Sequence, residues 1–248
     1  MKIHPFLDAT YLKTAKQADI SEQETVLRIK TLTKEAIAYN YKLIMIRAEY
    51  IRLVKELLDT AKSRTLIGTV IDFPEGNLTI DEKLKEAKKA IDLGVDELDF
   101  VINYNAFKQK NYSLVKEEVT KGTSFCLKNN KTIKWIIEIA ALSDKEIIVI
   151  SQLIKETVMN AFGEISADRV FVKSSTGFYK TQNNKPNGAS IKAMKLIIEN
   201  AKPLKVKAAG GVKDYKMAAK MIHLGVDRIG TSSAKEILNK EKNINSTY

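Results

Sequence analysis

The chain has 248 residues, 44% of them hydrophobic and 29% charged, with 11 glycines and 4 prolines. That mixture excludes collagen-like and low-complexity chains, and no apolar run nears the ~20 residues of a membrane-crossing helix. Lys and Arg number 41 against 30 Asp and Glu, a net charge of +11, while the single Cys126 and two histidines, His4 and His223, rule out a disulfide framework and a Cys/His-rich metal site.

The opening Met1-Lys2-Ile3-His4-Pro5 lacks the apolar core and small-residue cleavage site of a signal peptide, so a cytoplasmic protein is expected. Short apolar runs, several rich in Val and Ile, then predict strands at 6–8, 43–46, 66–71, 98–102, 133–139, 170–172, 204–208 and 226–229. Between them, apolar residues at three- and four-residue spacing predict helices that pack on a sheet. Ile51, Val54, Leu57 and Leu58 form one stripe, Ile147, Ile150, Leu153 and Ile154 a second, and Met217, Met221 and Leu224 a third. Ser21 with Glu24, and Ser143 with Glu146, read as capping boxes. Leu93-Gly94-Val95-Asp96 and Leu224-Gly225-Val226-Asp227 stand at equivalent helix-to-strand junctions and suggest a repeated β-α unit. Lys83, Lys85, Lys88 and Lys89, mixed with Asp81, Glu82 and Glu86, read as a solvated helix face.

Eight strands in 248 residues give about 31 residues per β-α unit, and no linker divides the chain. The pattern predicts an α/β protein, a single-domain (β/α)8 TIM barrel over 1–238 followed by a polar, mobile tail at 239–248. A doubly wound open sheet would carry a glycine-rich dinucleotide turn, and no G-x-G-x-x-G is present.

In such a barrel chemistry gathers at the ends of the strands. Strand six ends in Lys173 and strand seven in Lys207, on neighbouring strands. Two inward ammonium groups in a partly desolvated mouth disfavour each other's protonation, and a neutral lysine amine attacks carbonyls to form a Schiff base. Alternation along strand four sends Asp99 inward, where a carboxylate needs a cationic partner. Glu138 is either a second inward carboxylate or a loop residue. Gly210-Gly211 after strand seven and Gly230-Thr231-Ser232-Ser233 after strand eight, with Gly177 after strand six, suit a backbone phosphate site.

Several segments together resemble the deoxyribose-phosphate aldolase family, class I aldolases of the (β/α)8 fold. They are Leu7-Asp8-Ala9-Thr10-Tyr11-Leu12, Ile71-Asp72-Phe73-Pro74-Glu75-Gly76, Asp96-Glu97-Leu98-Asp99-Phe100-Val101-Ile102-Asn103, Phe171-Val172-Lys173-Ser174-Ser175-Thr176-Gly177, Lys207-Ala208-Ala209-Gly210-Gly211-Val212 and Arg228-Ile229-Gly230-Thr231-Ser232. The resemblance implies reversible cleavage of 2-deoxy-D-ribose 5-phosphate to D-glyceraldehyde 3-phosphate and acetaldehyde, with no metal and no organic cofactor. It implies Lys173 as the Schiff-base residue, Lys207 as the group lowering its pKa, and Asp99 as a proton-transfer residue supported by Asp8 and Thr10. It implies phosphate binding around Gly177, Gly210, Gly211, Gly230, Thr231, Ser232 and Ser233, and a homo-oligomer, dimer or tetramer. Some members end in a tyrosine that reaches the active site, and this chain ends in Tyr248. Met45 stands where the family often has cysteine, Ala9 where many members have histidine, and Arg47 at the end of strand two is unusual. The loop at 179–188 is also idiosyncratic. These departures keep open an aldolase of the same fold acting on another phosphorylated sugar. The charge alone leaves a remote alternative, a non-catalytic barrel binding nucleic acid; the resemblance itself implies small phosphorylated sugars and short aldehydes as partners, with no nucleic acid and no membrane.

Overall fold

The computed structural model describes residues 1–182 and 187–245, with side chains through 239. Its strands are β1 (Leu7–Thr10), β2 (Leu43–Met45), β3 (Leu66–Ile71), β4 (Glu97–Val101), β5 (Thr132–Ile136), β6 (Val170–Lys173), β7 (Lys205–Ala209) and β8 (Arg228–Thr231). The helices are α1 (Ala15–Ala18), α2 (Glu22–Tyr39), α3 (Ile51–Thr60), α4 (Ile80–Asp92), α5 (Tyr104–Lys108), α6 (Tyr112–Lys128), α7 (Asp144–Phe162), α8 (Ile191–Ala201), α9 (Tyr215–Leu224) and α10 (Ala234–Asn245). The strands run parallel and close in sequence order, β1 pairing with β8 through Asp8 and Gly230. This is the (β/α)8 barrel.

The register decides which side chains meet inside. Asp99 pairs with Val70 on one side and Lys134 on the other, and Lys173 pairs with Lys207. Parallel neighbours in register point the same way, so these residues share the inner face. The alternate residues face the helices and make the main core. There Phe100 and Trp135 pack with ring centres 5.3 Å apart, and Trp135 Nε1 donates to Thr123 Oγ1 at 3.2 Å. Gly122 on α6 makes this possible, since a Cβ there would lie 2.7 Å from the indole.

The stripe Ile147, Ile150, Leu153 and Ile154 is wholly in the core, whereas Leu57 of the first stripe and Met217 and Leu224 of the third are only half-buried, at the edge of their helices' packed faces. Both expected capping boxes form, and Thr14 with Gln17 and Thr79 with Glu82 form two more. The repeated Leu-Gly-Val-Asp tetrapeptide has one structural role twice over. Gly94 and Gly225 turn the chain at φ 99° and 104°. Asp96 and Asp227 then accept the amides of Ile67 and Val206 at 2.9 and 2.8 Å, sewing each new strand to its predecessor.

One expectation is corrected. Lys83 leaves the solvated face of α4 and is fully buried, where it pairs with Asp72 at 3.0 Å and with Glu118, and donates to the Val101 carbonyl at 2.7 Å. The helical phase, not the charge, sets its direction: Lys83, Ala87 and Ala90 share the buried stripe. At the C-terminal end, α10 spans Ala234–Asn245. Tyr248, and 183–186 of the strand-six loop, lie outside the described residues.

Candidate active site

Asp99 is the hub of the inner face. Its Oδ1 accepts from Lys134 at 2.7 Å, and its Oδ2 from Lys173 and Lys207, each at 2.8 Å. Lys207 also contacts Asp8 Oδ2 at 2.6 Å, and Lys134 contacts Glu97 Oε2 at 2.5 Å. Arg228 closes the cluster by pairing with Asp8 and with Glu97 at 3.2 Å. All seven groups are buried. Four cations therefore share three carboxylates, and one cation is in excess.

The excess falls on Lys173. Burial and the neighbouring Lys207 ammonium outweigh the attraction of Asp99 and lower its pKa to about 8. Lys134 meets the same burial but has both Asp99 and Glu97 beside it, and its pKa is raised. Asp99 is opposed by burial, yet its three lysines hold its carboxyl well below the usual range. Asp8 is likewise opposed by burial and lowered by Arg228 and Lys207. With Lys173 neutral, three cations balance three carboxylates. A neutral amine at Lys173 has a free electron pair, the form in which a lysine can add to a carbonyl.

Above the amines opens a cavity of about 860 Å³, lined by Lys173, Lys207 and the loops after β6, β7 and β8. Gly177, Gly210, Gly211, Gly230, Thr231 and Ser232 all border it. Thr10 borders it too, although its hydroxyl donates to its neighbour, the Asp8 carbonyl, at 2.8 Å. Ser233 lies apart from the lining: its amide donates to Thr231 Oγ1 at 2.9 Å, and its carbonyl receives the Ile237 amide at the start of α10. Among the described residues no group of three or more His, Cys, Asp or Glu is placed to hold a metal. Nor does any described helix have the length and apolarity to cross a membrane.

A family model described as DeoC/LacD family aldolase matches residues 9–240. The chain belongs to that family. DeoC/LacD membership makes it an aldolase, a carbon–carbon lyase. It is similar to the deoxyribose-phosphate aldolase of Thermococcus gammatolerans, at 34% identity over 98% of this chain and 98% of the relative. With the enzyme of that name from Metamycoplasma arthritidis it shares 36% identity over 92% and 96%. Among solved structures, the tetrameric deoxyribose phosphate aldolase of Aeropyrum pernix superposes with a TM-score of 0.77 at 26% identity, covering 98% of this chain and 92% of that one.

Within this DeoC/LacD barrel, sequence reasoning passed over Lys134, Glu97 and Arg228. Alternation carries the signal for two of them: Glu97 shares the phase of Asp99, and Lys134 breaks the apolar run Ile133–Trp135 on the same side. It also missed Asn187 and Gly188. Asn187 donates to the Gly177 and Tyr179 carbonyls at 3.1 and 3.2 Å, and Gly188 lies so close to the Gly210 backbone that no Cβ fits there. Glu138 belongs to the loop after β5, at φ 54°, and accepts from the Thr176 amide at 3.1 Å and from its hydroxyl. Burial pushes its carboxyl pKa up despite those bonds.

The ion cluster also fixes a stability cost. Arg228→Met removes the cation shared by two buried carboxylates, Asp8 and Glu97. It should destabilise the fold by about 3–5 kcal/mol, read from the urea midpoint at constant slope.

Proposed function

We propose that the chain is a Schiff-base aldolase that reversibly cleaves 2-deoxy-D-ribose 5-phosphate to D-glyceraldehyde 3-phosphate and acetaldehyde. The substrate comes from the names of the relatives, deoxyribose-phosphate aldolases at 34% and 36% identity. The chemistry rests on one observation, a buried lysine at the floor of the cavity with its pKa lowered to about 8.

In this reading the Lys173 amine attacks C1 of the open-chain sugar and water leaves, giving an iminium. The C3 hydroxyl then loses its proton to a water held by the Asp99–Lys207 pair. The C2–C3 bond breaks, its electron pair enters the C1–C2 bond as an enamine, and glyceraldehyde 3-phosphate departs. Protonation at C2 and addition of water release acetaldehyde and restore the amine. Asp8 holds Lys207 in place, and Thr10 braces the Asp8 backbone. The phosphate lies on the backbone of Gly177, Gly210, Gly211 and Gly230 and beside Thr231 and Ser232, close to the start of α10. Ser233 acts on the phosphate only by shaping that turn. No step in this mechanism calls on a metal or an organic cofactor. The tetramer of the A. pernix relative supports a homo-oligomer here as well.

Sodium borohydride added with acetaldehyde tests the assignment. Reduction of the iminium should leave a two-carbon adduct that peptide mapping locates on Lys173. An adduct on Lys134 or Lys207 alone, or none, would overturn it.

A further inference from the structure

The inner face is divided into two unlike halves. The charged cluster occupies β4 to β8 and β1. Leu43 and Met45 on β2 and Val70 on β3 instead form a small apolar cluster of their own with Leu12, against which Phe73 and Phe178 pack. In a closed eight-strand barrel, strands four apart face each other across the axis, so β2 faces β6 and β3 faces β7. The apolar cluster therefore stands opposite Lys173 and Lys207. Gly68 is part of its shape: a Cβ there would lie 2.5 Å from the Met45 methyl.

Arg47 ties this half together at its rim. Its Nε donates to the Leu12 carbonyl at 2.9 Å, and its guanidinium lies 5.4 Å from the centre of the Phe73 ring. Phe73 meets Phe178 edge-on at 5.0 Å. The Phe178 amide donates to Thr176 Oγ1 at 3.0 Å, and Glu138 holds Thr176 in turn. A continuous chain of contacts thus runs over the mouth from the β1 loop to the β6 loop. Leu12, Thr176 and Phe178 are its members that line the cavity, and Leu12 and Phe178 are the apolar ones.

We propose that Arg47 is a positioning residue that clamps Leu12 and Phe73 into a fixed apolar wall, and that this wall limits the size of the aldehyde carried on Lys173. The inference rests on the Schiff-base assignment above. A phosphate seated on the β7 and β8 loops and a carbonyl carbon bonded to Lys173 fix two points of the substrate. C2 lies between those two points, and the C2 substituent that distinguishes propanal from acetaldehyde faces β2 and β3. A hydrogen fits there, and a methyl group meets Leu12 and Phe178. One methylene at a rigid apolar surface changes rates by roughly 10- to 200-fold, and a loosened wall forfeits that discrimination.

The test is the ratio of kcat/KM for acetaldehyde to that for propanal, each adding to glyceraldehyde 3-phosphate. Arg47→Met and Phe73→Leu should each lower this ratio by roughly 10-fold, and Arg47→Lys, which lacks the planar stacking surface, should lower it less. General damage to the fold would reduce both rates alike and leave the ratio where it was. An unchanged ratio in Arg47→Met and Phe73→Leu overturns the clamp alone, provided wild-type protein still gives the borohydride adduct on Lys173. Absence of that adduct overturns the Lys173 assignment and the clamp with it.

Discussion

Lys173→Arg will abolish turnover, by about 10,000-fold or more, while leaving the fold intact. The reasoning separates the charge of Lys173 from its chemistry. A guanidinium keeps a cation beside Asp99 Oδ2, now 2.8 Å from the Lys173 amine, so no buried carboxylate loses its partner. It stays protonated at every accessible pH and has no free electron pair for a carbonyl. The cavity, the glycine-rich loops that border it and the Asp99–Lys207 pair all persist, so substrate binding is expected to survive the substitution. Rates of deoxyribose 5-phosphate cleavage and a urea titration on the same protein check both halves. Full activity in a folded variant would show that a different amine carries the reaction, and Lys134 and Lys207 would become the candidates.

The same comparison of charge with chemistry separates what the sequence makes legible from what it hides. Asp99, Lys173 and Lys207 were readable because each ends or interrupts an apolar run in a phase that must point inward. Asp8 and Thr10 stand at the end of strand one, but a role for them comes only from the family motif. In the barrel Asp8 proves to be a full member of the ion network, through Lys207 and Arg228. The balance of four cations against three carboxylates was not readable. It depends on Lys134, Glu97 and Arg228 sharing one interior, and strands distant in sequence converge there only when the barrel closes. Lys83 shows the opposite failure. A lysine among charged neighbours reads as solvated, yet its partners Asp72 and Glu118 lie 11 and 35 residues away and are invisible to a local window. The apolar run at 133–139 also predicts more strand than the barrel has, since β5 ends at Ile136. Ile137 and Ile139 continue the apolar pattern, but the left-handed turn at Glu138 breaks the strand, and the buried bonds to Thr176 hold it there.

Lys207→Leu should slow turnover at pH 7.5 by up to about 200-fold, and the loss should shrink as the pH rises. The sign follows from the two charges that Lys173 senses. Lys207 repels its ammonium, and Lys207 also occupies part of the Asp99 carboxylate that would otherwise attract it. Removing Lys207 ends the repulsion and strengthens the attraction, so the Lys173 pKa climbs from about 8 toward the ordinary lysine value of 10.5. A lysine reacts only in its neutral form, which is present above its pKa. At pH 7.5 that form is about a quarter of the population for a pKa of 8 and about 0.1% for one of 10.5. The acid limb of the rate profile should therefore sit near pH 8 in the wild-type protein and move upward in the variant. A role confined to moving protons would lower the plateau and leave the limb in place. Borohydride trapping at pH 7.5 and at pH 9.5 gives an independent reading, since it needs the neutral amine but not the later bond cleavage. If the limb stays near pH 8 and trapping is undiminished in Lys207→Leu, the lowered pKa belongs to burial alone and the pairing of the two amines does not set it.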